Sequence, residues 1–171
     1  IEHQKMLRIY NTFDSDAIIK KSTEYKVEKA DDTPMFVSVG RFCEQKSFDR
    51  AVDAAHCLKG EGYKFKWYIL GDGELFEEIE QLIKERQIED CLVLTGRKSN
   101  PYPYIALADA MILTSVFEAH PMVANESYWN VNGNNINAIT YLYTDGADPL
   151  KPYDDFFNGL VDTMGMTAER V

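Results

Sequence analysis

The sequence predicts an α/β domain, an open parallel sheet with helices on both faces. Three observations predict it. Continuous apolar runs recur at "MFVSV" (35–39), "KFKWYIL" (64–70), "CLVLTG" (91–96) and "AMILTS" (110–115), and a sheet covered on both faces buries runs of this kind. Between them, apolar residues fall at helical spacing. The connections are short, which suits repeated strand-helix units.

Each element follows from its own residues. Residues 1–34 read as a lead-in and linker. "MLRIYNTFD" fits a short strand ending in a turn, and the polar "KKSTEYKVEKADDTP" fits a linker closed by Pro34. "SFDRAVDAAHCLKG" (47–60) has a helical apolar stripe at positions 48, 51, 52, 55 and 58, with Ser47 as N-cap and Gly60 as the stop. "ELFEEIEQLIKER" (74–86) repeats the stripe through Leu75, Phe76, Ile79, Leu82 and Ile83. "PYPYIALAD" (101–109) is a short helix opened by prolines, and "HPMVANESYW" (120–129) begins another. The main domain therefore runs over 35–126. From Ser127 the pattern fails: "NESYWNVNGNNIN" reads as loop, and "AITYLY" fits either a strand or part of a helix. Residues 127–171 form a divergent tail that is expected to complete the domain or to stand as an addition to it.

Composition excludes several classes. A net charge of −10 argues against a general nucleic-acid binder, which needs a basic face. No apolar run approaches the roughly 18 residues of a membrane span. Cys43, Cys57 and Cys91 are odd in number and widely spaced, which fits reduced cytosolic thiols better than a disulfide framework or a zinc site. The N-terminal "IEHQKMLRIY" has no secretory h-region and reads as a cut inside a longer chain.

Parallel sheets bind ligands at the carboxyl ends of their strands. Gly40-Arg41, Gly71-Asp72-Gly73, Gly96-Arg97 and the stretch from Ser115 to Glu118 all fall there. Arg41 and Lys46 are either solvated loop residues or the cations of an anion site. An arginine fork fits phosphate oxygens, and a strand-to-helix turn adds backbone N–H groups. Gly71 and Gly73 serve either a tight turn or the close approach of a ligand. Glu118 precedes the helix that Pro121 opens, and Glu126 lies more than one turn inside it. Together they reach one ligand from two directions, unless Glu126 is a solvated helix carboxylate and His120 an ordinary loop residue.

These pieces, in this order, resemble the C-terminal half of the GT-B-fold retaining glycosyltransferases of glycosyltransferase family 4. "RIYNTFD" looks like the family's inter-domain segment. "FVSVGRFCEQKSFDRAVDAAHCL", "WYILGDGEL", "CLVLTGR" and "ADAMILTSVFEAHPMVANE" follow in its order and spacing, and the last carries its paired glutamates with seven residues between them, Glu118 and Glu126. The resemblance covers residues 7–126. It implies a Rossmann-like, nucleotide-sugar-binding domain. Arg41 and Lys46 would hold the donor's diphosphate, assisted by Gly40, Gly71 and Gly73. Arg97 would meet the base through its backbone. Glu118 would sit by the sugar, and backbone at Met122 and Val123 would meet phosphate or sugar; His120 is a candidate donor contact from its place in the same loop. Glu126 would hold the ribose. Glu118, Arg41 and Lys46 are thus the expected catalytic group.

The implied reaction is hexosyl transfer with retention to a polysaccharide or glycolipid acceptor. UDP is the expected donor nucleotide because it is common in the family. No metal or other cofactor is expected. An N-terminal acceptor-binding domain, absent from this chain, is the expected partner, with any membrane contact made through it at the inner face. Ala119-His120 stand where the family usually has Gly-Phe, and Ser47 where it usually has glycine. The alternative reading is a non-catalytic nucleotide- or sugar-binding module on the same fold. A dinucleotide enzyme fits poorly, since no G-x-G-x-x-G follows the first strand.

Overall fold

The computed structural model describes residues 14–29, 33–116 and the backbone of 138–141. Five strands form one sheet: β1 (Met35–Val39), β2 (Lys66–Leu70), β3 (Leu92–Gly96), β4 (Ala110–Leu113) and β5 (Ala138–Tyr141). Their order is β3-β2-β1-β4-β5, and every pairing is parallel. "AITYLY" therefore supplies an edge strand and not a helix. The order reverses between β1 and β4, which opens a crevice at the ends of those strands.

The alternation within each strand sorts two cores. Phe36, Trp67, Ile69, Leu92, Ala110 and Ile112 face α2 (Phe48–Gly60) and α3 (Phe76–Glu85). Val37, Leu70 and Met111 face α4 (Tyr102–Leu107), packing on Ile105 and Ala108. Trp67 is fully buried, so its indole N–H needs a partner. It donates to Ser38 Oγ at 3.0 Å, and the Ser38 hydroxyl in turn donates to the Ile112 carbonyl at 2.6 Å. That chain ties β2, β1 and β4 through one polar core residue.

Two helix ends differ from the sequence reading. The turn after α2 closes on Gly62 (φ +86°) and not on Gly60, which is the last helical residue. Tyr63 N–H donates to the Leu58 carbonyl at 3.1 Å and Gly62 N–H to Lys59 at 3.0 Å, the paired bonds of a Schellman stop. Ser47 does not cap α2 with its side chain. It sits in the left-handed region (φ 44°), and its hydroxyl donates to the Glu44 carbonyl at 2.8 Å.

A helix also stands where the sequence reading had a linker. α1 (Ser15–Ser22) starts at Asp14, whose carboxylate accepts from Ala17 N–H at 3.0 Å, and buries Ile18. It packs on α4. Asn100, itself buried, donates to the Lys21 carbonyl and to Glu24 at 2.8 Å each, and its carbonyl accepts the Tyr25 hydroxyl. Further along, Lys29 pairs with Asp109 at 2.5 Å, and the same carboxylate oxygen accepts from Met35 N–H at 2.8 Å. The segment before β1 is thus fastened at two points, to the loop between β3 and α4 through Asn100 and to the residue before β4 through Asp109.

Candidate functional site

Loops leaving the carboxyl ends of the strands meet at one cleft. It has a volume of about 360 Å³ and is lined by Gly40, Arg41, Gly71, Asp72, Arg97 and Lys98 among others. Three of the four stretches picked out from the sequence therefore converge. Of the fourth, Ser115 and Val116 are described and Phe117 and Glu118 lie outside the described residues; the chain leaving β4 bonds to the β1 loop. Thr114 Oγ1 donates to the Lys46 carbonyl at 2.6 Å, and Val116 N–H donates to the Gln45 carbonyl at 2.8 Å. The Lys46 side-chain stem lies across Gly40, where a Cβ would stand 3.2 Å from Lys46 Cε. Glycine here leaves room for the lysine to cross the turn.

The floor of the cleft is main chain packed on main chain. Gly40 N–H donates to Leu70 at 3.0 Å, Phe42 N–H to Asp72 at 2.8 Å, and Leu75 N–H to Phe42 at 3.1 Å. Gly71 N–H donates to Gly96 at 3.1 Å. A Cβ on Gly71 would lie 1.7 Å from the Gly40 carbonyl oxygen, and one on Gly73 2.4 Å from the Phe42 carbonyl oxygen. Both glycines have positive φ, +152° and +155°. Their absence of side chains is therefore needed first for closing one loop on the next. That closure is also what sets the cleft's walls.

Two of the cations carry carboxylate partners. Arg41 donates from Nη2 and Nε to one oxygen of Glu74 at 3.0 and 3.1 Å. Arg97 Nη1 lies 3.8 Å from Asp72. The Arg41 and Arg97 side chains are 72% and 79% exposed, so these pairs sit in water, where solvent screening leaves such pairs weak. A hydrogen bond from its own backbone amide, and then the charge of Arg41, hold the Glu74 carboxyl below its ordinary range. The sequence reading did not single out Glu74 or give Asp72 a role. Pairing across loops leaves no local pattern to find.

Another cavity, of about 330 Å³, opens between α2 and α3 beside Glu44, Asp49 and Glu78. Its charge is of the wrong sign for an anion. Among the described residues no cluster of His, Cys, Asp and Glu is arranged to hold a metal ion. All three cysteines are free thiols. Burial pushes the Cys91 thiol up to about 11. Glu118, His120, Met122, Val123 and Glu126 lie outside the described residues.

Residues 20–128 match the sequence family described as glycosyl transferases group 1. The chain belongs to that family. Among curated relatives of this glycosyl transferases group 1 chain is the N-acetylgalactosamine-N,N'-diacetylbacillosaminyl-diphospho-undecaprenol 4-alpha-N-acetylgalactosaminyltransferase of Campylobacter jejuni. It is 34% identical over 127 residues, 74% of this chain and 33% of that protein. The lipopolysaccharide core biosynthesis glycosyltransferase LpsE of Rhizobium meliloti is 25% identical over 125 residues, 73% of this chain and 36% of that protein. The chain spans about a third of the length of these relatives. Among solved structures, the Escherichia coli trehalose-6-phosphate protein bound with UDP-2-fluoro glucose superposes with a TM-score of 0.67 at 11% identity. The match covers 89% of this chain and 43% of that one. The likeness extends the fold assignment to the GT-B glycosyltransferases.

Proposed function

We propose that this chain is the donor-binding, C-terminal half of a retaining glycosyltransferase of family 4. It would take a hexose from a nucleotide-diphosphate sugar, UDP-linked, for a polysaccharide or glycolipid acceptor. One observation carries the reading. The β1, β2 and β3 loops meet in a cleft lined by Gly40, Arg41, Gly71, Asp72 and Arg97, at the ends of parallel strands. The family match supports the class of reaction, and the UDP-sugar named for the Escherichia coli structure supports the nucleotide.

Arg41 and Lys46 would neutralise the diphosphate as it leaves, so that developing charge is met by side chains and amides. The reading is metal-independent, and activity should survive chelation by EDTA. By resemblance, Glu118 acts at the sugar, with the Met122 and Val123 amides around it, and Glu126 holds the ribose; His120, where the family usually has phenylalanine, is a further candidate for touching the donor. In domain terms, 35–126 is the nucleotide-sugar unit, 1–34 leads in from an acceptor-binding domain, and 127–171 completes the sheet. The parallel pairing of Ala138–Tyr141 with β4 supports the last point. The proposed location is the cytoplasm at the inner face of the membrane. The free thiols and the diphospho-undecaprenol in the Campylobacter relative's name support it. Among the described residues no helix is long and apolar enough to cross a membrane.

Titration calorimetry with UDP tests the proposal. Arg41→Ala and Lys46→Ala should each weaken binding by roughly 1.5–3 kcal/mol, the loss expected for a charged hydrogen bond. Unchanged affinity in both variants would sink it.

A further inference from the structure

The Arg41 fork lines the cleft, yet Glu74, which does not line it, holds two of its three donor nitrogens, Nη2 and Nε. The main chain that carries Glu74 is fixed against the β1 loop. The Glu74 loop is bracketed by the bonds Phe42 N–H to Asp72 and Leu75 N–H to Phe42. Gly71 and Gly73 also press that loop against the Gly40–Phe42 main chain, with no room for even a methyl group. Arg97 faces Asp72 on the same loop, at a distance too long for a hydrogen bond. One short rigid loop therefore presents a carboxylate to each of the two arginines.

We infer that Glu74, with Asp72 beside it, is a built-in competitor with the diphosphate for Arg41, holding Arg41 at the rim of the cleft and setting how tightly the anion binds. Binding is then an exchange: Arg41 leaves the Glu74 carboxylate and takes a phosphate oxygen, and Glu74 returns to water. The exchange lowers affinity for any diphosphate, including the spent nucleotide, which must depart before the next turnover. The inference rests on the nucleotide-sugar reading, since it gives the anion its place.

The test is titration of the chain with UDP, and separately with inorganic pyrophosphate, using wild type, Glu74→Gln, Arg41→Ala and the double variant. Removal of an exposed carboxylate competitor should tighten both ligands by about two- to fivefold, a modest span because exposed pairs are weak. The gain should shrink as salt rises, because the competition is between screened surface charges. It should vanish in the Arg41→Ala background. If wild type binds UDP and Glu74→Gln binds it equally or more weakly, Glu74 is not a competitor, and the nucleotide-sugar reading stands. An equal gain with Arg41 absent would mean only a general change in field, and would also overturn the inference. If neither protein binds either ligand, both readings fall together.

Discussion

Gly71→Ala is expected to destabilise the protein by about 3–5 kcal/mol. The new Cβ would stand 1.7 Å from the Gly40 carbonyl oxygen and 2.9 Å from its carbon, while real Cβ contacts essentially never fall below 3.0 Å. The loops must therefore part by at least about 1.3 Å to reach 3.0 Å. The atoms in the way are main chain, so no rotamer change relieves the contact. Such a shift stretches the Gly40–Leu70 and Phe42–Asp72 bonds, now 3.0 and 2.8 Å, past useful reach. Each contributes about 1 kcal/mol. Alanine held at a φ of +152° adds about 1–3 kcal/mol of backbone strain. The sum is a large part of a typical stability of about 5–15 kcal/mol. Urea denaturation followed by far-ultraviolet circular dichroism measures it, with Gly60→Ala as the contrast. Gly60 ends α2 with no atom within 4 Å of an added Cβ, and alanine there should stabilise by about 0.5–1 kcal/mol. A loss below about 1 kcal/mol in Gly71→Ala would show that the loop contact yields easily, and the reasoning would fail.

Three further outcomes follow from the same geometry. Gln87 sits at φ +55° in the turn after α3, so Gln87→Gly should raise the melting midpoint, with about 0.5–1 kcal/mol left after the added chain entropy of glycine. Asp109→Ala should cost about 2–3 kcal/mol, because Met35 N–H and Lys29 lose one shared acceptor. Asp109→Asn should cost less, since its amide oxygen still serves Met35. Cys91, raised from 9.0 to about 11, stays protonated in the fold after the unfolded chain has released its proton. Its contribution to stability is whole below pH 9 and falls as pH rises to about 11, so wild type should lose stability against Cys91→Ala across that window. At pH 8 Cys91 should also be the last of the three thiols to react with iodoacetamide, with only about one molecule in a thousand ionised.

The sheet and the helices on its faces were legible because each strand is a compact apolar run and α2 and α3 carry regular stripes. α1 was not, although Asp14 is an N-cap and Ile18 an apolar anchor. Eight residues give too little periodicity, and the helix is held by Asn100, far along the chain. The Gly60 stop was misplaced by two residues because Gly62 follows so closely, and only the Tyr63–Leu58 bond decides between them. At the site, Gly40, Arg41, Gly71 and Arg97 could be grouped in advance, since strand ends in a parallel sheet lie together. What could not be read was why Gly71 and Gly73 are glycines, and which carboxylates face the arginines. Both depend on how closely the β1 and β2 loops approach, which no local spacing encodes.

The closed main-chain floor also bears on how such a cleft can be re-engineered. Positions 71 and 73 accept no side chain without moving their neighbours, so they are poor choices for a mutagenesis library. Variation belongs at Arg41, Asp72, Arg97 and Lys98, whose side chains stand above that floor and are exposed. A library confined to those four codons would change the charge and shape that the cleft presents while leaving its main-chain floor in place, and sequence drift in nature faces the same restriction.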